Sequence, residues 1–412
     1  MYYVILLIGI LIFVAHFFTQ LFRKTHVPDV LLLMLLGMAA GPVLGLVSPG
    51  DFGKVGSVLS TIALVVILFE SGISLNLKVL KESLGTTGKL TLTCFAASIG
   101  AVAVIGHLML DLPWISAVTL GAILGGTASA VVIPLVSMLG LSEKPATVLV
   151  LESALTDVLC ILGVFALLQM DLQGAVDPAR LVGSVLAALI FAMVIGVLGG
   201  LGWMLMLHRI RDIPNTISST VASVFIVYGI TEALGFSGAI ASLAFGITLS
   251  NYEQLGMPRI KLLTGKKVTP LTDTELLFYA EAVFLLKTFF FVYLGISIQF
   301  GAWDVVLVAS IMVFALFLIR LIVTRSTVGE GFTPRDAAIT SMMGPKGLAA
   351  AVLATVPVQQ GMVGGELMRD TTYMVVLLSI LLCALLVALY PNRLVRQAYD
   401  AVFASRRVDA GN

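Results

Sequence analysis

The chain has 412 residues, 59% of them hydrophobic and only 11% charged, with a mean hydropathy of +1.08 and a formal net charge of +1. Soluble domains carry about 25% charged residues, so this composition excludes a soluble globular protein and indicates a polytopic membrane protein. No polar stretch is long enough for a soluble catalytic or regulatory domain, and no nucleic-acid partner is expected.

The first twenty residues, MYYVILLIGILIFVAHFFTQ, lack a basic start and a small-residue cleavage site, so they read as a membrane helix rather than a signal peptide. Further apolar spans are predicted at 28–47, 57–77, 88–110, 114–138, 146–169, 181–207, 215–234, 237–250, 279–299, 303–324, 335–358 and 371–391. That makes about thirteen segments near the roughly 20 residues a spanning helix needs. Two are interrupted, 114–138 by GGTAS and 335–358 by GPKG, and a short tail, 392–412, follows the last. An odd number of spans puts the termini on opposite sides. With the N-terminus outside, only Lys54, Arg180 and Arg369 fall in outer loops, and Lys287, Arg320 and Lys346 lie within spans. The remaining Lys and Arg face inward, as the positive-inside rule requires of a cell-membrane protein with a cytosolic C-terminus.

The chain also repeats itself. LFESGISLNL (68–77) resembles VYLGISIQF (292–300) when Gly72 is set on Gly295, an offset of 223. The same offset carries GGTASA (125–130) onto the PKGLAA region (345–350), and LMLLGM around Gly37 resembles LAFGIT around Gly246. Repeat one therefore spans about 1–170 and repeat two about 215–391, joined by a linking helix at about 181–207. Six helices on either side of one linker make the repeats inverted. Paired repeats with matching broken helices point to a secondary transporter with its site near the midplane. In the breaks, Thr127, Ser129, Gly344 and Pro345 weaken the helix and free backbone groups, tolerated at membrane depth only where protein or a water-filled cavity receives them.

Ionisable residues inside the membrane are costly and by default functional. LESALTDVLCIL (151–162) holds Glu152 and Asp157, which point about 140° apart on one helix. Ser153 lies four residues before Asp157, and Thr156 lies four after Glu152. A carboxylate and a hydroxyl on one face suit a hard monovalent cation that sheds part of its hydration shell. Glu70 is a third intramembrane acid. Arg320, deep in ALFLIRLIV, demands a carboxylate, and Glu152, facing away from Asp157, is the natural partner in a structural ion pair. Lys346 at the second break is placed to neutralise the carbonyl ends of half-helices; Lys287 either snorkels or lines the site. Cys94, Cys160 and Cys383 read as buried small hydrophobes, and the four histidines are scattered.

On FESGISL (69–75), the interrupted GTAS, ESALTD, mid-span Arg320 and GPKG (344–347), nearly the whole chain resembles the monovalent cation/proton antiporters of the sodium/proton exchanger superfamily, nearest the NhaP-type branch. The resemblance implies an all-α fold with two broken, crossing helices in a core of about 57–169 and 279–391, a separate dimerisation region and a homodimer. It places Asp157 as the residue that binds proton or cation in turn, with Ser153, Glu70 and Thr127 (through its carbonyl) completing the ion site. It also matches Glu152 and Arg320 to a buried ion pair. The chain departs from the family at Thr156, where asparagine or aspartate precedes the binding aspartate. It departs again at Thr127-Ala128-Ser129, where Thr-Asp-Pro is usual, and at Lys346, where arginine is usual.

The expected activity is exchange of a monovalent cation, Na+ foremost with Li+ or K+ as alternatives, for H+, without a cofactor and without enzyme chemistry. A carboxyl removed from water holds its proton well, whereas a cation stabilises the ionised form, so the two ions compete. Because Thr156 does not titrate, electroneutral one-for-one exchange is expected. The rival readings are a carrier of small organic anions built on Arg320, Lys287 and Lys346, and a cation channel or non-transporting sensor.

Overall fold

The computed structural model describes residues 2–25, 27–75, 77–173, 178–210, 217–251, 271–298, 303–329 and 331–403. Arg211, Arg259, Lys261, Lys266, Lys267, Arg406, Arg407 and His26, which entered the charge and histidine readings, lie outside them.

The described residues are helical, with no strand among them. In chain order the helices are α1 (Tyr2–Thr25), α2 (Asp29–Met38), α3 (Gly53–Ser74), α4 (Leu77–Met109), α5 (Trp114–Leu124), α6 (Ser129–Leu139), α7 (Glu143–Gln173), α8 (Pro178–Ile210), α9 (Ile217–Ala233) and α10 (Gly238–Ser250). They continue as α11 (Asp273–Ser297), α12 (Trp303–Thr327), α13 (Pro334–Met342), α14 (Leu348–Leu353), α15 (Thr355–Gln359), α16 (Gly365–Leu389) and α17 (Arg393–Phe403). Pro42 sits in a π-helical turn, Ala39–Val43, that continues α2; such bulges absorb a residue that the regular ladder cannot bond. Seven segments of the described residues are long and apolar enough to cross a membrane, and shorter apolar helices accompany them.

The chain forms two compact units. The first is Met1–Gly53, Ser83–Val164 and Thr288–Asn412; the second is Lys54–Glu82 and Phe165–Lys287. In the second unit α3, α8, α9, α10 and α11 enclose an apolar core in which Phe69 meets Phe245 and Tyr279 edge-on, with centroids 5.9 and 5.3 Å away. Backbones touch where α3 crosses α10: a Cβ on Gly72 would lie 3.1 Å from Gly246 Cα, and one on Gly246 would lie 3.1 Å from Gly72 Cα. Small residues are what permit such close approach in membrane helices. Asn251 then ties the α3–α4 junction, donating to Leu75 O at 2.7 Å and accepting from Leu77 N at 2.9 Å.

The first unit contains the matching crossing. A Cβ on Gly37 of α2 would lie 3.0 Å from Val292 Cα of α11, and one on Gly295 of α11 would lie 3.0 Å from the Met34 carbonyl carbon. Thus α2 meets α11 as α3 meets α10, through the same four glycines that the internal alignment pairs as 37 with 246 and 72 with 295. At one end of this unit α17 packs its Phe403 against Leu90, Val323, Ala337 and Ala338.

Candidate functional site

The first unit is organised around its two interrupted helices. The first break is Gly125 to Ala128, between α5 and α6; the second is Met343 to Gly347, between α13 and α14. Glycine is required at three of these positions by packing. A Cβ on Gly125 would lie 2.6 Å from the Phe95 ring, one on Gly126 2.8 Å from Cys160 Sγ, and one on Gly347 2.5 Å from Ala128 Cβ. The last contact shows that the breaks cross face to face. Ala128 N donates to Pro345 O at 2.8 Å, so one break satisfies a backbone group freed in the other.

Lys346 completes the crossing. Its Nζ, buried at 4% exposure, donates to Gly126 O at 2.8 Å, at the carbonyl end of α5 where a positive charge is favoured. Its backbone N–H donates to Ser379 Oγ of α16 at 2.9 Å.

Helix α7 runs beside the first break and carries the acids. Thr156 Oγ1 accepts from Thr127 N at 3.1 Å and donates to Ser153 O at 3.1 Å; it lies 3.4 Å from Thr127 Oγ1. Asp157 Oδ2 accepts from Ser129 Oγ at 3.3 Å. Glu152 points away and takes Arg320 in a two-pronged pair at 2.5 and 2.8 Å, while Arg320 Nε donates to Thr340 O at 3.0 Å. Both ends of that pair are buried, and Gly344 packs against Arg320 Cδ.

The structure therefore brings together Asp157, Thr156, Thr127 and Ser129 at the first break, and Glu152, Arg320 and Gly344 at the second. Ser153 is buried one turn before Asp157, but its hydroxyl donates to Val150 O at 3.0 Å along its own helix. Glu70 stands on α3 in the other unit, half-buried, accepting from Ser74 Oγ at 3.1 Å. Lys287 also belongs to that unit, its ammonium 6.0 Å from the Phe284 ring centroid.

Sequence reasoning missed the hydroxyl of Ser129 as the partner of Asp157, because a serine after a helix break reads first as a helix weakener. It also missed Ser379, a lone serine in the apolar run LLSILLC with no signal of its own. Chemically, one ionisable carboxylate beside hydroxyl and backbone oxygens suits a proton or a hard monovalent cation. Among the described residues no group of three or more His, Cys, Asp or Glu side chains is placed to hold a metal ion.

The family described as "Sodium/hydrogen exchanger, transmembrane" matches residues 8–390. Among characterised relatives, the Na(+)/H(+) antiporter 1 of Methanocaldococcus jannaschii is 25% identical over 84% of this chain and 81% of its own length. The K(+)/H(+) antiporter NhaP2 of a Shewanella species is 24% identical over 85% of this chain; the chain spans 60% of that relative's length. The solved structure of the sodium proton antiporter MjNhaP1 from Methanocaldococcus jannaschii at pH 8 superposes with a TM-score of 0.72 at 21% identity, covering 92% of this chain and 98% of that one. That likeness establishes a shared fold.

Proposed function

The chain belongs to the sodium/hydrogen exchanger family, a family of transporters rather than enzymes, and on that premise we propose that it exchanges a monovalent cation for H+ with Asp157 as the alternating site. The observation that carries this reading is the placement of Asp157. It is a buried carboxylate on α7, beside Ser129 where the broken helix resumes and next to Thr156, which bonds the break itself. Water is largely excluded there, so the carboxyl needs either a proton or a cation, and each expels the other.

Ser153 and Thr127 join Asp157 as ligands in this reading, with Thr156 holding the break in place. Glu152–Arg320 serves as the structural pair and Lys346 compensates the freed carbonyls. The reciprocal glycine crossings, α2 on α11 and α3 on α10, support two inverted repeats, and such repeats support alternating access by rigid movement of the broken-helix core. The cation is Na+ foremost, with Li+ and K+ as the alternatives, and one cation moves per proton because Thr156 has no charge to add. The protein works as a homodimer in the cell membrane, with its N-terminus outside. An organic-anion carrier is not favoured, since Arg320 and Lys346 both point their donors at protein oxygens.

The test uses proteoliposomes with an imposed pH gradient and a pH-sensitive dye. Addition of Na+, Li+ or K+ should collapse the gradient for the wild type and not for Asp157→Asn. Full exchange by the variant would exclude Asp157 as the site. An end point that follows an imposed membrane potential would exclude the one-for-one stoichiometry. Exchange should rise with pH as protons leave the site and fall again when protons become scarce.

A further inference from the structure

A buried ammonium carries three N–H donors. The hydrogen bond found for Lys346 Nζ is one, to Gly126 O. Next to it lies a small cavity whose walls include Cys94, Ser98, Glu152, Arg320 and Lys346. Those walls hold two cations and one anion, and an uncompensated buried charge is strongly unfavourable. The Glu152–Arg320 pair is closed on itself at 2.5 and 2.8 Å, so the Lys346 charge needs dipoles from elsewhere.

The helices around this cavity also carry hydroxyls without partners. Five buried threonine hydroxyls have no hydrogen-bond partner among the described residues, and four of them, Thr87, Thr91, Thr324 and Thr340, belong to α4, α12 and α13. Thr87, Thr91, Cys94 and Ser98 follow one another at steps of four, three and four, so they share one face of α4, and all are buried. Thr324 is one turn beyond Arg320 on α12, and the Thr340 carbonyl is the one Arg320 Nε bonds. None of the four threonines is itself a wall of the cavity, but Thr91 lies one turn from the wall residue Cys94 on α4. Orphaned buried polar atoms near a polar cavity are what buried water satisfies, each molecule needing two to four polar partners.

We propose that this α4 face and the cavity it enters form a binding site for water that solvates Lys346 beneath the helix crossing. The cavity shares Gly125 and Thr127 of the first break with the ion site, but Asp157 is not among its walls, and water there does not depend on Asp157 carrying an ion. A water there lets the chain keep a lysine at the crossing with a neutral Ala128 opposite, because its dipole supplies part of what a carboxylate would otherwise provide.

X-ray radiolysis of the full chain in lipid nanodiscs tests this, since hydroxyl radicals formed from bound water oxidise the side chains beside it. Cys94, 6% exposed, lines the cavity, whereas Cys383 is fully buried and is not among its walls, so the response to Thr91→Val rather than the wild-type ratio isolates bound water. Oxidation of Cys94 should run several-fold faster than that of Cys383 in the wild type. It should slow toward the Cys383 rate in Thr91→Val and recover in Thr91→Ser. Equal rates for the two thiols in the wild type would overturn the proposal, and so would an unchanged Cys94 rate in Thr91→Val. Neither result bears on whether Asp157→Asn still transports, so the two readings fail separately.

Discussion

The two helix breaks cross one another, yet they are built for different work. The first, Gly125 to Ala128, is short and presents hydroxyl and backbone groups to α7: Thr127 bonds Thr156, and Ser129 reaches Asp157. The second, Met343 to Gly347, contributes no hydroxyl. It supplies the Pro345 carbonyl and the Lys346 ammonium, both directed at the first break, and it leans on Arg320 through Gly344. One break faces the titratable site and the other holds it in place.

Damage on the scaffold side should appear first as lost stability. Arg320→Ala leaves Glu152 charged, buried and unpaired, which costs about 3–5 kcal/mol. Its melting temperature and purified yield should fall well below those of Asp157→Asn. Equal stability of the two variants would break the comparison. Gly347→Ala forces a Cβ against Ala128 at the crossing, an overpacking worth about 1–3 kcal/mol. Thermal unfolding should register it, and transport should fall with it because the Ala128 N to Pro345 O bond is strained apart.

Damage on the titratable side should instead change ion coupling. Thr156→Val removes the acceptor of Thr127 N–H at nearly constant shape, and a buried donor left unpaired costs about 1–3 kcal/mol. The expected result is slower exchange from a folded protein, read by dye quenching beside a melting curve. Ser129→Ala has the smallest effect. The ionised Asp157 loses one donated hydrogen bond, so protons compete better for the site. Onset of exchange should move to higher pH, and the apparent affinity for cation should drop a few-fold at fixed pH. A shift to lower pH would show that Ser129 opposes the ionised form rather than supporting it.

Much of the site was legible before any coordinates. Charge in an apolar run must find a partner, so Arg320 pointed to Glu152, and a helical spacing of five residues put Glu152 and Asp157 on different faces. The breaks announced themselves through glycine, proline and hydroxyl residues. The partners across those breaks were not legible. Ser153 has the right spacing to join Asp157, yet its hydroxyl turns back to Val150 O, a choice between two staggered rotamers that sequence spacing does not make. Ser129, Ser379 and the Gly126 carbonyl took roles that no local pattern advertised.

Composition and periodicity determined that this chain is a bundle of membrane helices with two interrupted segments and a small set of buried charges, because burying an unpaired backbone group or charge in hydrocarbon is too costly to occur without purpose. Which hydroxyl meets Asp157 and which carbonyl meets Lys346 were decided only by tertiary structure. Those partners sit 28 and 220 residues apart in the chain. Their meeting depends on how closely two helix breaks can cross, which the missing side chain of Gly347 sets.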